Sequence, residues 1–294
     1  MTTSRRRLVR ATVLFVLIVG VFLVVRNQVK VYRSRQRAAA ELQHRQEMAG
    51  AELEQRQSLF DLLRPVALSN CTLERFGETN DGGYLMCGNL LRSVQAGYSY
   101  GISGYDKWGC DISTKRRVRL HQYDCFNTAV PACPSGDTVF HPECVGPSTT
   151  TTDGKLFDTI ANQIVKNGDS GKRIALKIDV EGAEWDSFLH ASDEVFQQID
   201  QMAVEFHWVQ DEKYQRVVER LKRFFYVAHI HFNNMGCLGG LAPFTSWAYE
   251  VLFVNKRLGV VDDSRAVGGL HPLDAPNNPT WVDCQPQPGT QPVR

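Results

Sequence analysis

The segment IALKIDVEGAEW, residues 174–185, decides the fold of this chain. Its first part, Ile174–Val180, is mostly apolar and predicts a strand that is buried on both faces, and Glu181-Gly182 ends it. On either side of this segment, short apolar runs alternate with patterns of helical spacing. That alternation is typical of a doubly wound α/β sheet in which most strands are parallel. The sequence therefore predicts an α/β fold.

Five further apolar runs predict the other strands: Ala96–Ser103, Val118–Phe126, Ile199–Phe206, Phe225–Phe232 and Tyr249–Val254. Apolar residues at helical spacing predict two helices between them. The first contains Phe157, Ile160, Ala161 and Ile164, with Asp153 as its cap, and the second contains Tyr214, Val217, Val218 and Leu221. These elements predict one domain over residues 66–260.

The composition is that of an ordinary globular protein, with 43% hydrophobic and 22% charged residues among 294. It excludes a collagenous, a disordered or a multi-pass membrane chain. The basic and acidic residues nearly balance, with a formal net charge of +1, so the charge does not indicate a nucleic-acid partner.

The amino-terminal segment predicts a single transmembrane helix. An uncharged run, residues 11–25, lies between two basic groups, which are Arg5, Arg6, Arg7 and Arg10 before it and Arg26, Lys30, Arg33, Arg35 and Arg37 after it. No small-x-small cleavage site follows the run, which favours a retained signal anchor at residues 11–26 over a cleavable signal peptide. Residues 1–10 are then cytoplasmic and residues 27–65 form a helical stem, although the basic flanks alone leave the orientation open.

Eight cysteines lie beyond the predicted anchor, at positions 71, 87, 110, 125, 133, 144, 237 and 284. Their even number indicates disulfides formed in an oxidising compartment, and Cys71 and Cys87, which flank a predicted hairpin, are the first pair expected to bond. The sequon Asn70-Cys71-Thr72 agrees with a lumenal glycoprotein. No two cysteines are separated by only two residues, so the sequence predicts no metal site.

Together these features predict a single-pass type II membrane protein of the Golgi or the endoplasmic reticulum, with its domain in the lumen. Residues 261–294 hold six of the twelve prolines and little apolar sequence, and they predict an irregular tail after the domain.

Candidate functional residues follow the ends of the predicted strands, where open α/β sheets bind their ligands. Gly101 and Gly104 close the first strand and let the backbone approach a ligand. Asp124 ends the next strand, twenty residues beyond Gly104, at the spacing of an acid that binds ribose hydroxyls. Asp179 ends a strand that is otherwise largely apolar, where a carboxylate costs stability unless it has partners.

Glu205 and His207 end the following strand and are expected beside Asp179, where either can orient a substrate or accept a proton. They can equally be rim residues whose hydrogen bonds are satisfied. For Glu181 and Glu184 a structural interpretation is also open, because acids at the start of a helix interact favourably with its dipole.

Four segments resemble a known family: GETNDGGYLMCG (77–88), YSYGISGYDKWGCDIS (98–113), HQYDCF (121–126) and LKIDVEGAEW (176–185). They are similar to the methyltransferase-like 24 family, a branch related to the FkbM-type methyltransferases, over about residues 71–258. The resemblance implies a Rossmann-like class I fold that binds S-adenosylmethionine. It places Gly101 and Gly104 in the cofactor loop, Asp124 at the ribose and Asp179 beside the reacting methyl group.

Together with the anchor predicted from the amino-terminal segment, the resemblance implies a membrane-anchored S-adenosylmethionine-dependent methyltransferase. We expect oxygen methylation of a secretory-pathway acceptor such as a glycan, with Asp179 as positioner or base and with Glu205 and His207 assisting. The family signature Asp81-Gly82-Gly83 is expected to close over the cofactor. The glycine loop is shorter than in many class I enzymes, which leaves open a non-catalytic lumenal binding module. A type II glycosyltransferase is a third interpretation, but the chain lacks an Asp-x-Asp motif, and Asp262-Asp263 is the nearest pair.

Overall fold

The computed structural model of the chain describes residues 26, 30, 36–37, 41–265, 267 and 269–284. The chain divides into two compact units, residues 1–54 and 55–294. In the first unit, the described residues 41–54 are helical. The predicted anchor at residues 11–26 lies outside the described residues except for Arg26. Within the described ranges, no helix combines the length and the apolar character that a membrane crossing needs.

The second unit holds the elements that position the candidate site. Its helices are α1 (residues 55–62), α2 (Lys107–Arg116), α3 (Ile160–Lys166), α4 (Ala183–His190), α5 (Asp193–Gln198) and α6 (Glu212–Phe224). Its strands are β1 (Leu73–Gly77), β2 (Gly83–Cys87), β3 (Ala96–Tyr100), β4 (Arg119–Tyr123), β5 (Asp137–His141), β6 (Cys144–Val145), β7 (Thr150–Thr152), β8 (Lys155–Asp158), β9 (Ile174–Ile178), β10 (Ile199–His207), β11 (Phe225–Phe232) and β12 (Ala248–Asn255).

Seven strands form the main sheet, in the order β11-β12-β10-β9-β3-β4-β5. All neighbouring pairs are parallel except those of β12, which runs antiparallel to both β10 and β11. The predicted α/β class and the mostly parallel sheet are therefore confirmed. From the centre, the chain adds β4 and β5 on one side of β3 and then adds β9 and β10 on the other side. The strand order thus reverses between β3 and β9.

The core lies on both faces of this sheet. Every residue of β3, β9, β10 and β12 is buried, as the apolar composition of the central strands predicts. Leu176 of β9 packs in a cluster with Trp185 of α4, whereas its neighbour Ala175 packs in a second cluster with Trp108 of α2. Successive strand residues point to opposite faces, so α2 and the β1–β2 hairpin cover one face and α3 to α6 cover the other.

The pairing register brings the carboxyl ends of the parallel strands to one edge. Tyr100 of β3 pairs with Tyr123 of β4 and with Ile178 of β9, and Ile178 pairs with Val204 of β10. The residues that come next in the chain, Gly101, Asp124, Asp179 and Glu205, therefore lie at neighbouring positions along that edge.

The helix predicted around Phe157 is wrong at its start. Phe157 lies in β8, which pairs with β6 and β7 in a separate three-stranded sheet. The helix α3 begins at Ile160, and the side chain of Thr159, not that of Asp153, accepts the capping hydrogen bond from the Asn162 N–H. Apolar residues of a short strand and of the helix that follows it can fall at helical spacing by chance, and periodicity alone does not separate them.

Four disulfides join the eight cysteines: Cys71–Cys87, Cys110–Cys133, Cys125–Cys144 and Cys237–Cys284. The first is the pair that the sequence predicts, and that prediction is confirmed. The last links the proline-rich tail to the loop after β11. The described part of this tail, residues 261–284 without 266 and 268, has no helix and only one bridging residue, Val261. It still packs on the sheet, since Asn277 Nδ2 donates to Glu250 Oε1 at 2.7 Å.

His121 of β4 makes the stability of the fold depend on pH. Its ring is buried between His141 and Asp169, and burial, only partly offset by the Asp169 carboxylate, lowers the pKa of His121 to about 4. The unfolded chain takes up this proton at about pH 6.5, whereas the folded chain does so only near the lowered pKa. We therefore expect the free energy of unfolding to fall as the pH falls through this window, by about 2 kcal/mol between pH 7.5 and pH 5.

Urea unfolding at several pH values measures this loss. His121→Gln is expected to remove the His121 part of the pH dependence, whereas the matched variant at the exposed His190, His190→Gln, is expected to keep it. Burial also lowers the pKa of His141. We therefore compare His121→Gln with the double variant His121→Gln/His141→Gln, which separates the contributions of the two rings to the pH dependence. An unchanged pH dependence in His121→Gln contradicts the prediction.

Candidate functional site

Gly101 joins β3 to the loop that the sequence predicts as the cofactor loop. Its φ angle is +71°, and a Cβ added there would overlap the carbonyl oxygen of Asp179 and lie 2.7 Å from its carbonyl carbon. The glycine thus lets the backbones at the ends of β3 and β9 approach each other where the strand order reverses. Gly104, three residues later, lies beside Asn127, whose Nδ2 donates to the carbonyl oxygen of Ser103 at 2.7 Å.

Asp124 follows β4 and organises the same loop. Its Oδ2 accepts hydrogen bonds from the N–H groups of Ile102 at 3.2 Å and Ser103 at 2.7 Å. Its Oδ1 accepts from the N–H groups of Phe126 and Asn127, both at 2.9 Å. A carboxylate has about four acceptor positions, and these backbone donors engage them. The structure therefore brings Asp124 to the predicted loop and shows how it holds the loop, while its contact with a ribose stays a prediction.

Asp179 lies at the same edge, with a quarter of its side chain exposed. Its Oδ2 is 3.4 Å from both the Lys177 ammonium and the Tyr84 hydroxyl. Lys177 also donates to the carbonyl oxygen of Gly101 at 2.7 Å, which ties Asp179 to the glycine loop. These partners offset the cost of placing a carboxylate at the end of a buried strand. They also leave Oδ1 directed towards His207, 3.8 Å from its Nε2.

His207 ends β10, and Glu184 in the first turn of α4 orients it. Glu184 is fully buried, and its Oε1 accepts hydrogen bonds from the His207 backbone N–H at 2.9 Å and from His207 Nδ1 at 3.1 Å. With Nδ1 as the donor, Nε2 faces the space between Asp179 and Glu181. Burial alone would lower the pKa of His207, but the three nearby carboxylates outweigh it and raise the pKa. Glu184 therefore orients the His207 ring in addition to lying in the first turn of α4.

Glu205 lies at the same edge of the sheet, but its side chain is buried. It accepts hydrogen bonds from Asn233 Nδ2 at 2.7 Å and from the Tyr84 hydroxyl at 3.4 Å. Burial, together with the carboxylates of Asp179 and Glu250, raises the pKa of Glu205 well above its usual value. The raised pKa favours the protonated form of Glu205, and its role as an assisting residue stays a prediction.

In the signature, Asp81 and Gly82 lie in the turn of the β1–β2 hairpin, and Gly83 begins β2. The backbone N–H of Asp81 donates to the carbonyl oxygen of Asn277, and Asp81 Oδ1 accepts from Asn277 Nδ2, each at 3.2 Å. The turn places the next residue, Tyr84, in the site, where its buried hydroxyl lies between Asp179 and Glu205. Sequence reasoning missed Tyr84. The signal that could have identified it is its position directly after the signature.

Two tryptophans form a rim beside His207. Trp208 is 51% exposed and stacks on Trp247, with ring centroids 5.0 Å apart. Its φ angle is +69°, which is rare for a bulky residue, and its N–H donates to the carbonyl oxygen of Trp247 at 2.7 Å. The backbone thus holds an aromatic face open to solvent beside the acids, where a ring-shaped acceptor can pack. Sequence reasoning missed both residues.

Three side chains at the opening could hold a cation. Asp179, Glu181 and His207 each offer one ligand atom, and these atoms lie within 4.8 Å of one another. We call these three residues the carboxylate–imidazole cluster. The prediction of no metal site depends on the spacing of the cysteines, and that criterion does not address a site built from carboxylates and one imidazole.

No protein-family model matches the chain, and no curated protein matches it. The resemblance to the methyltransferase-like 24 family therefore stays a prediction from the four sequence segments.

Proposed function

We propose that this chain is an S-adenosylmethionine-dependent methyltransferase with a class I fold. The proposal rests on the strand order of the main sheet, in which one reversed strand, β12, lies between β10 and the parallel strand β11. The resemblance of the four sequence segments implies a class I fold, and this mostly parallel sheet is compatible with it. In doubly wound sheets the ligand binds where the strand order reverses, which here is at the carboxyl ends of β3 and β9, next to Gly101 and Asp179.

The residues at this opening suit the cofactor. S-adenosylmethionine supplies an activated methyl group on a positively charged sulfonium, and the carboxylates of Asp179 and Glu181 at the opening offset positive charge. The loop that begins at Gly101 lies along the same opening and is held in place by Asp124. These residues would hold the cofactor.

Methyl transfer needs the acceptor oxygen in line with the methyl group, and proximity supplies most of the rate gain. In our proposal Asp179, whose own position is set by Lys177 and Tyr84, binds the acceptor hydroxyl. The proton of that hydroxyl passes to the carboxylate–imidazole cluster, in which Glu184 orients His207. The exposed ring of Trp208 packs against the acceptor and excludes water from one side of the site.

We further propose a hydroxyl group of a secretory-pathway glycan as the acceptor. The four disulfides support an oxidising compartment. The stacked pair Trp208 and Trp247 supports a ring-shaped acceptor. The anchor predicted at residues 11–26 would hold this lumenal domain at the membrane of the Golgi or the endoplasmic reticulum.

Calorimetric titration of S-adenosylmethionine into the full chain, made in an oxidising host and purified in detergent, tests the cofactor site. We expect micromolar binding, and binding that is weaker by roughly tenfold in Asp179→Asn because a carboxylate that offsets the positive charge of the sulfonium is lost. Asp137→Asn is the matched control, because this carboxylate lies at the edge strand β5 and pairs with the exposed Arg119. It is expected to bind like the wild type.

The opposite result is an absence of binding by a folded chain with its four disulfides intact, as judged by near-ultraviolet circular dichroism. That result contradicts the methyltransferase proposal and favours a non-catalytic binding module. The backbone hydrogen bonds that both Asp124 oxygens accept also support such a module. Binding of a nucleotide sugar instead would favour a glycosyltransferase.

A further inference from the structure

We propose that the carboxylate–imidazole cluster binds a divalent transition-metal cation such as Mn²⁺ or Zn²⁺. Asp179 and Glu181 follow β9, and His207 ends the adjacent strand β10, so two neighbouring strand ends supply the three ligands. Two carboxylates and one imidazole form a mixed oxygen and nitrogen donor set. Such a set suits these ions better than Ca²⁺, which takes about six to eight oxygen ligands.

The three donor atoms lie within 4.8 Å of one another, and the two distances from His207 are near those of a metal site. His207 Nε2 is 3.4 Å from Glu181 Oε2 and 3.8 Å from Asp179 Oδ1. Donor atoms that are each about 2.1 Å from one ion lie roughly 3.0–3.4 Å apart in tetrahedral or octahedral geometry. Glu181 is 81% exposed, so its side chain is free to rotate by the small distance that remains.

The orientation of His207 also suits a ligand. Its side chain is only 3% exposed, and its Nε2 points between the two carboxylates, with the longer ion-pair contacts of 3.4 Å and 3.8 Å to them. Its other ring nitrogen is held by the buried Glu184, whose second oxygen accepts from the Gly182 N–H at 2.9 Å. Metal-binding histidines are commonly oriented in this way: a carboxylate accepts a hydrogen bond from one ring nitrogen, and the second ring nitrogen is left to bind the metal.

The charges around the cluster also favour a cation. Asp179, Glu181 and Glu184 bring three carboxylates to the site, and Lys177 brings one ammonium. Lys177 contacts the Oδ2 side of Asp179 and is anchored by carbonyl oxygens at the end of β3, so it does not cover Oδ1. A divalent cation balances the two negative charges that remain.

The catalytic use of the cation rests on the proposed function. A cation held by these three residues would lie beside Asp179 and would bind the oxygen of the acceptor, and the hydroxyl proton would then pass to the second carboxylate oxygen of the exposed Glu181 and on to solvent instead of to His207. Binding of the cation itself does not depend on the methyltransferase proposal and is measured without S-adenosylmethionine.

Titration of Mn²⁺ into the metal-stripped full chain, followed by electron paramagnetic resonance of the free ion, tests the site. We expect one Mn²⁺ to bind per chain, to be displaced by Zn²⁺ and to resist an equal concentration of Ca²⁺. Glu181→Gln is expected to weaken Mn²⁺ binding by at least about tenfold. Glu219→Gln, at an exposed position of α6, is the matched control and is expected to leave binding unchanged.

His207→Gln is expected to abolish binding, and because His207 is buried, circular dichroism checks its fold. The exposed Glu181 keeps the test decisive if that variant does not fold. Absence of Mn²⁺ and Zn²⁺ binding by the folded wild type overturns the metal site, as does wild-type affinity in Glu181→Gln. Metal binding without S-adenosylmethionine binding contradicts only the methyltransferase, and the reverse result contradicts only the metal site.

Discussion

Gly101→Ala is expected to prevent native folding, with a loss of more than about 4 kcal/mol in the free energy of unfolding. The added Cβ would overlap the carbonyl oxygen of Asp179 and lie 2.7 Å from its carbonyl carbon. Both groups are backbone atoms, and β3 and β9 are paired along their whole length. Neither strand can move away without opening the centre of the sheet, where packing is dense.

Gly168→Ala is the matched control. Gly168 has the same φ angle of +71°, but no atom lies within 4 Å of a Cβ added there. This variant therefore shows the cost of the left-handed conformation alone, about 1 kcal/mol. Thermal and urea unfolding of both variants, followed by circular dichroism, separates that cost from the backbone overlap. Equal losses in the two variants contradict the close contact between the ends of β3 and β9.

Asp124→Ala is expected to lower the free energy of unfolding by about 4 kcal/mol. It removes the acceptor of four backbone N–H groups, and each hydrogen bond to a charged acceptor contributes about 1 kcal/mol or more. The loop after β3 is expected to loosen first. Hydrogen exchange should therefore become faster at the amides of Ile102 and Ser103, while the amide of Tyr98 inside β3 stays protected.

Asp137→Ala is the control for this prediction. Asp137 pairs with Arg119 at 3.1 Å, and both side chains are more than half exposed, so its loss is expected to cost less than about 1 kcal/mol. Wild-type stability and wild-type exchange in Asp124→Ala would show that the four hydrogen bonds do not hold the loop. Loss of cofactor binding in Asp124→Ala, by contrast, does not establish a ribose contact, because the loop itself changes. Asp179→Asn is the better variant for the cofactor site.

The position of the site at one edge of the sheet follows from the sequence pattern. Parallel strands that alternate with helices place their carboxyl ends together, so residues that directly follow predicted strands are expected to meet. The sequence predicts Gly101, Asp124 and Asp179 there for this reason, and they lie there in the structure. His207, predicted beside Asp179, has its Nε2 3.8 Å from that carboxylate.

The partners of these residues could not be predicted in the same way. Tyr84 reaches Asp179 from a position 95 residues earlier in the chain, on a hairpin that is separate from the main sheet. Glu184 looks like an ordinary acid at the start of a helix, and only the packing of α4 against β10 turns it towards His207. Trp208 and Trp247 stack because β10 and β12 are neighbours, although the two residues are far apart in sequence.

By itself, the sequence determined the α/β class, the candidate residues at the strand ends and the Cys71–Cys87 disulfide. These depend on local periodicity and on short separations along the chain, which the pattern of residues records directly. Only the tertiary structure decided the role that each acid can have. It turned Asp124 towards the backbone of its own loop and buried Glu205, which raises the pKa of Glu205. Hydrogen-bond partners and burial are set by contacts between distant segments, and a local pattern does not encode those contacts.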